Sequence, residues 1–406
     1  MLVLDRFKEA RSVLRGVIAG TELVYSQYLS DSCGNQVYLK PENLQVTGAY
    51  KIRGAYFKAS RLTQEEKDRG LITASAGNHA QGVAYAAKTA GIKATVVMPT
   101  TTPLMKVDRT KKFGAEVILH GGVFDDAAEY AQQLAQERGM TYIPPFNDLD
   151  IACGQGTIAY EIFQSLPDVD VILVPIGGGG LAAGVATLAK LLNPHVRVIG
   201  VEPIGAASMK ASVEAGHVVS LPAAVTIADG VAVRTPGDKV FPYIQQNVDE
   251  ILTIEDDELV EAFLDIMENH KMMVENAGLL SVAALKHLDC RDKNVVSILS
   301  GGNMDVITMA SLVQYGLINR GRVFSFSVML PDRPGELVRV AQIVAEEKGN
   351  IIKLDHNQFV SINRQSKVEL QVTLEAFGHE HKETILDALR RHGYDVQLIQ
   401  SKSVYN

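Results

Sequence analysis

Over the first 320 residues, a short β-branched run is followed repeatedly by a glycine-rich or polar turn and then by an amphipathic segment. Ala94 to Met98, Glu116 to Leu119, Val169 to Ile176, Arg197 to Val201 and Asn294 to Leu299 read as strands, and Gln81 to Thr89, Phe124 to Glu137 and Leu181 to Leu192 as helices. Units of this kind stack around largely parallel sheets, so the predicted class is α/β. Ligands of such sheets collect at the carboxyl ends of strands, which directs attention to the loops there. The strand-like Val37 to Lys40 and Val171 to Val174 are separated by at least two further βα units. That separation predicts two open twisted subdomains, the smaller inserted at roughly 50–150, with Asn43 to Lys51 facing a glycine loop across a cleft.

After Arg320 the pattern changes. Val323 to Leu330 alternates like a half-buried strand, and Pro331, Pro334 and Gly335 turn the chain into a helix from Glu336 to Glu347. Strands at Asn350 to His356 and Val368 to Thr373, a helix at Lys382 to His392 and a strand at Asp395 to Ile399 complete a β-α-β-β-α-β order. This predicts a ferredoxin-like domain at 321–406, with residues 1–320 forming the catalytic region. The domain shows no nucleophile and base arrangement, so binding or regulation is its expected task.

A chain of 406 residues has room for two or three such units, and 47% apolar with 21% charged residues is a globular composition. A net charge of -8 gives no general attraction to nucleic acid or to anionic membranes. No run reaches the roughly 20 apolar residues of a membrane helix, and the amino terminus lacks a signal-peptide core, so a cytoplasmic location is expected. Cys33, Cys153 and Cys290 lie far apart and read as small apolar side chains in a reducing compartment.

Four segments could carry chemistry. Gly177-Gly178-Gly179-Gly180 follows an apolar strand and opens a helix, where unpaired amides can hold a phosphate. That phosphate has two possible owners. Gly177-x-Gly179-x-x-Ala182 fits a dinucleotide fingerprint, with Glu202 placed to contact a ribose, although Glu202 also reads as a solvated strand end. Lys51, in AYKIRGA at a helix start, favours the other owner: an aldehyde cofactor bearing a phosphate needs a lysine and an anion cradle together, and a nicotinamide oxidoreductase has no use for the lysine. Ser75-Ala76-Gly77-Asn78-His79 offers converging amides for a carboxylate, with His79 either an acid or base or a polar helix-start residue. Ser300-Gly301-Gly302-Asn303 ends another strand, and its serine could hydrogen-bond a heterocycle nitrogen or simply cap a helix.

The ordered set AYKIRGA, SAGNHAQG, GGGGLAAG and SGGN resembles the pyridoxal phosphate enzymes of fold type II, the tryptophan synthase β-like fold, and closely the threonine dehydratases or threonine ammonia-lyases. The resemblance covers nearly all of residues 1–320. Chain length and PDRPGEL at Pro331 to Leu337 resemble the medium-length form with one ACT domain. The resemblance implies that Lys51 is the internal Schiff-base lysine, that Asn78 contacts the phenolic oxygen, and that Gly177, Gly178, Gly179 and Gly180 bind the phosphate. It implies Ser300 as the partner of the pyridine nitrogen, and Ser75, Gly77, Asn78 and His79 as the substrate-carboxylate loop. Tyr50 replaces a common phenylalanine and could still cover the cofactor ring.

Two departures bear on the reaction. Serine racemases, which this chain also resembles, carry a second serine where Ala76 stands, and racemisation needs proton transfer on both faces. Metal-dependent relatives carry an acidic residue at the position of Ser208, after Glu202 and Ala206, so no metal is expected. The implied reaction is conversion of L-threonine to 2-oxobutanoate and ammonia, and of L-serine to pyruvate. Serine racemase and hydroxyaspartate ammonia-lyase are the alternatives of the same fold. A homodimer or homotetramer, isoleucine or valine as effector, and a place in isoleucine synthesis are further family-level expectations.

Overall fold

The structure, a computed structural model, describes residues 1–357 and 368–399, so parts of the expected regulatory segment, at 358–367 and 400–406, lie outside the described residues. It divides into two compact units, Met1–Asp305 and Val306–Asn406.

The first unit holds two sheets. In the larger, the order is Val24–Tyr25, Gln36–Lys40, Asn294–Ile298, Val171–Pro175, Arg197–Pro203 and Glu250–Ile254, parallel apart from the short first strand. The smaller is fully parallel, in the order Glu116–Leu119, Ala94–Met98, Leu71–Ala74 and Thr141–Tyr142. Val171–Pro175, Ala94–Met98 and Leu71–Ala74 are buried at every residue. Continuous burial of this kind arises when helices cover both faces of a parallel sheet, which explains why these runs show no polar alternation.

Helix Leu149–Ser165 sets the spacing of the site. On one side it meets helix Lys51–Ser60 backbone to backbone: a Cβ on Gly54 would lie 2.6 Å from the Ile151 carbonyl oxygen, and one on Gly154 would lie 2.6 Å from Gly54 Cα. The Gly54 amide also donates to Gln155 Oε1 at 3.0 Å. On the other side the same helix touches Gly180–Leu192, where a Cβ on Gly184 would fall 1.9 Å from the Ala152 carbonyl oxygen. Cys153, on this helix, is fully buried, and burial pushes its thiol up to about 12.

In the second unit the strands run Asn350–Asn357, Val368–Glu375, Val323–Leu330 and Val396–Ile399, all antiparallel. Phe324, Phe326, Val328 and Leu330 sit opposite Leu374, Val372, Leu370 and Val368, so the alternating residues of two strands form one buried face. Helices Glu336–Glu346 and His379–Arg391 cover it with Val340, Val344, Ile385 and Leu389. Among the described residues no helix is long and apolar enough to cross a membrane.

Candidate active site

Three neighbouring parallel strands of the larger sheet release their loops at the same edge. After Gln36–Lys40 the chain reaches Lys51, after Asn294–Ile298 it reaches Ser300, and after Val171–Pro175 it reaches the four glycines. The lysine segment is stitched to the serine loop. The Tyr50 amide donates to Ser300 O at 3.0 Å, the Gly302 amide to Gly48 O at 2.9 Å, and Asn303 Nδ2 to Thr47 O at 2.7 Å. Tyr50 and Lys51 therefore leave the loop in a fixed direction.

The Lys51 amine donates to the Pro145 carbonyl at 2.8 Å. Burial lowers its pKa to about 8, against the opposing pull of Glu275. A neutral, nucleophilic fraction thus exists near physiological pH, which an ordinary surface lysine does not offer.

Gly177, Gly178, Gly179 and Gly180 form one wall, and the helix Gly180–Leu192 starts at the last of them, leaving its first amides without intrahelical partners. Gly179 has φ +97°, and a Cβ on Gly178 would sit 2.2 Å from the Phe146 ring. Only glycine lets this loop turn and pass Phe146 while its amides stay open to an anion.

The opposite side comes from the smaller sheet. Ser75, Ala76, Gly77, Asn78 and His79 follow Leu71–Ala74 and line a cavity of about 700 Å³ that Lys51 also lines. Lys51, Asn78 and Glu275 line both this cavity and the cleft of the glycine wall, where Tyr50 and Ser300 are also found. The residues predicted to hold pyridoxal phosphate and substrate thus line two clefts that share Lys51, Asn78 and Glu275.

His79 is buried, with Nε2 against the Ile143 carbonyl at 3.0 Å and Nδ1 without a partner. Burial, reinforced by Lys51, lowers its pKa to about 3, so it stays neutral and must donate from Nε2. An imidazole held this way lacks the orienting carboxylate of a general base.

Glu202 corrects an expectation. It is not a solvated strand end: it is fully buried, and its two oxygens accept the amides of Met209 at 2.9 Å and Lys210 at 2.8 Å. These are first-turn amides of helix Ser208–Ala215, so the carboxylate is committed to capping and is not presented to a ribose. Burial raises its pKa to about 7. The Ser208 hydroxyl donates to Val233 O at 2.7 Å.

The residue that sequence reasoning missed is Glu275. It is buried, accepts Asn78 Nδ2 at 2.7 Å, and has a pKa raised to about 7, chiefly by burial and further by Asp229. A signal was present: Glu275 is a lone acid heading the helix Asn276–Ala283, every residue of which is buried. An acid at the mouth of so apolar a helix is carried inward with it.

A family model described as pyridoxal-phosphate dependent enzyme matches residues 14–301. An L-threonine ammonia-lyase of Thermotoga maritima is 42% identical over 400 residues, covering 98% of this chain and 100% of that protein. The chain belongs to the threonine ammonia-lyase family of pyridoxal-phosphate dependent enzymes. Among solved structures, the processed form of threonine deaminase isoform 2 from Solanum lycopersicum superimposes with a TM-score of 0.74 at 39% identity, over 76% of this chain and 87% of that one. Maize serine racemase gives 0.73 at 33%, over 78% and 98%. This member of the family offers what a phosphate-bearing aldehyde needs: an amine with a depressed pKa, an anion cradle that any Cβ would obstruct, and polar side chains between them. The type II core of the family accounts for the two parallel sheets.

Proposed function

We propose that this chain deaminates L-threonine: loss of water leaves an enamine that tautomerises to an imine, and water hydrolyses it to 2-oxobutanoate and ammonia; L-serine gives pyruvate and ammonia likewise. The observation that carries the reading is Lys51, whose partly neutral amine lines both the cleft of the glycine wall and the cavity of the Ser75 to His79 loop. Pyridoxal phosphate, when bound there, supplies the electron sink for the pair left on Cα.

The chain's own residues do the rest. Amides of Gly177 to Gly180 would hold the phosphate, Tyr50 would wall the ring, Asn78 would donate to the phenolic oxygen and Ser300 would offer the ring nitrogen a neutral hydroxyl, all of them lining one cleft. A neutral partner there would leave that nitrogen unprotonated, which would favour loss of the β-hydroxyl over slower side reactions. The loop of Ser75, Gly77, Asn78 and His79 receives the substrate carboxylate. Lys51 takes the Cα proton, its amine being basic enough to accept it and neutral enough to be available. The Ala76 side chain has no exchangeable proton, so no side-chain acid or base stands at that position of the loop to replace the Cα proton from the other side, as racemisation requires. The deciding assay supplies the purified chain with pyridoxal phosphate and L-threonine. Equal amounts of 2-oxobutanoate and ammonia are expected; D-allothreonine in place of both, or no product despite bound cofactor, would overturn the reading.

The proposal divides the chain into a catalytic region at 1–320, its smaller subdomain at roughly 50–150, and an ACT regulatory domain at 321–406. The β-α-β-β-α-β order and the buried face of the second unit support the latter. Isoleucine or valine binding where two copies of this domain associate, in a homodimer or homotetramer, would couple feedback to catalysis and place the enzyme in isoleucine synthesis. Truncation after residue 320 is expected to abolish the response of the rate to isoleucine and valine while threonine turnover persists; steady-state rates with and without each amino acid make the comparison.

A further inference from the structure

A side-chain amide can present either of two ends to a cavity, a carbonyl that accepts or an NH₂ that donates. For Asn78 that choice decides whether it attracts or repels an acceptor such as a phenolic oxygen. Its neighbours leave no freedom. Asn78 Nδ2 donates to Glu275 Oε1 at 2.7 Å, and Asn78 Oδ1 accepts Asn303 Nδ2 at 2.9 Å. Asn303 Nδ2 spends its other hydrogen on the Thr47 backbone carbonyl at 2.7 Å. Arg109 Nη1, from helix Leu104–Lys112, lies 3.4 Å from Asn303 Oδ1.

The ends of this chain of contacts are one-way groups. A backbone carbonyl and an ionised carboxylate only accept, and a guanidinium only donates. With Thr47 O accepting, Asn303 must turn its NH₂ inward, and its carbonyl falls toward Arg109. Asn78 must then meet that NH₂ with its own carbonyl and face Glu275 with its NH₂. Every member points the same way, from Arg109 through the two asparagines to Glu275. The second Asn78 N–H is what remains for the cavity.

We propose that Glu275 and Asn303 are positioning residues that lock the Asn78 amide as a donor toward the phenolic oxygen of the cofactor. The inference rests on the proposed function, which puts that cofactor beside Lys51 and Asn78. Geometry carries it, and charge agrees. The groups facing Glu275 are Asn78 on the asparagine loop, the Asn303 backbone amide on the serine loop, Tyr50 and Lys51 on the lysine segment, Asp229 on the short helix Asp229–Val231, and Lys106 on the helix that also carries Arg109. Their balance, dominated by burial and with Asp229 adding to it, keeps the Glu275 pKa at about 7. Above that pH the carboxylate is an obligate acceptor. Below it the neutral acid can donate, and the direction of the relay is no longer enforced.

The test compares binding of pyridoxal phosphate with that of 3-deoxypyridoxal phosphate, which lacks only the phenolic oxygen. Apo enzyme is titrated with each and the dissociation constants are measured by absorbance. The unaltered chain should prefer the hydroxyl-bearing form by about tenfold or more, the worth of one hydrogen bond to a charged group. Glu275→Gln, which can face Asn78 with either end, and Asn303→Asp, which forces two acceptors together, should each cut that preference to about threefold or less, while affinity for the deoxy form changes little. In the unaltered chain the preference should also decline as pH falls through about 7. This last measurement involves no substitution, so it stands if a variant does not fold; thermal unfolding of each apo variant identifies that case. Full preference retained in both folded variants, or a preference flat across that pH range, overturns the relay while leaving the proposed reaction intact. If the unaltered chain binds neither form, the proposed function falls and the relay with it.

Discussion

Replacing Lys51 with alanine is expected to lower threonine turnover by at least about 10³-fold and to leave the cofactor removable by dialysis. A well-placed general base contributes about 10² to 10⁴, and the same amine is the covalent anchor, so both losses come from one side chain. The neighbouring structure should survive, since the Lys51 side chain's hydrogen bond runs to a single backbone carbonyl, that of Pro145. Turnover and visible absorbance after dialysis make the check, and retention of both would remove Lys51 from its assigned place. The lysine also fixes a pH dependence in the unaltered chain. Because burial depresses its pKa to about 8, the neutral fraction grows about tenfold per pH unit below that value and levels off above it. The rate at which apo enzyme takes up pyridoxal phosphate should follow this curve, rising toward pH 8 and flattening beyond.

Arg53→Met is expected to destabilise the catalytic unit by about 3–5 kcal/mol, the usual cost of breaking a buried ion pair from one side. Arg53 lies two residues after Lys51 and is fully buried. It donates to both oxygens of Glu42, each at 2.8 Å, to both oxygens of Glu161 at 2.6 and 2.8 Å, and to the Thr157 hydroxyl at 3.1 Å. Lys40 joins the cluster through Glu161. Burial alone would ease the proton off Arg53, but the two carboxylates more than offset this and hold it charged. Methionine fills much of the volume yet leaves the buried Glu42 with only the Thr21 hydroxyl at 2.5 Å and Lys40 at 3.8 Å among its described partners. Urea unfolding followed by the loss of catalytic-unit signal measures the cost. Adding Glu42→Gln to Arg53→Met should restore part of it, because the stranded charge is removed.

How much of this could be read beforehand differs from residue to residue. Strands such as Ala94–Met98 and Val323–Leu330 were legible to the residue, because β-branched runs bounded by turns are local signals. The helix at Asn78–Ala90 begins three residues before its apolar pattern does, since Asn78 and His79 point into the cavity and break the periodicity. Lys51 and the glycine loop were legible as a pair, each needing the other to acquire a chemical meaning. Glu202 and Glu275 were not. From sequence Glu202 is open to a ribose contact or a solvated strand end, yet both its oxygens cap a helix that starts six residues later; Glu275 meets Asn78 across 197 positions of chain. Acids are exposed by default, and what overrides the default is the start of the next helix for Glu202 and a partner far away in sequence for Glu275.

The dry contacts along helix Leu149–Ser165 act as a caliper. Lysine and phosphate cradle must be held apart by the length of one small rigid molecule, and a spacer built from side chains would breathe with every rotamer change. Here the gap is set by main chain resting on main chain at Gly154 and Gly184, contacts with nothing in them to rotate. Such a gauge has one setting. Adding a single methyl at Gly184 or Gly154 would not loosen the enzyme; it would recalibrate it, opening the jaws while each jaw kept its own shape. Variation that tunes substrate choice in this fold is therefore free to accumulate in the cavity loops, while these glycines mark where the tolerance for change runs out.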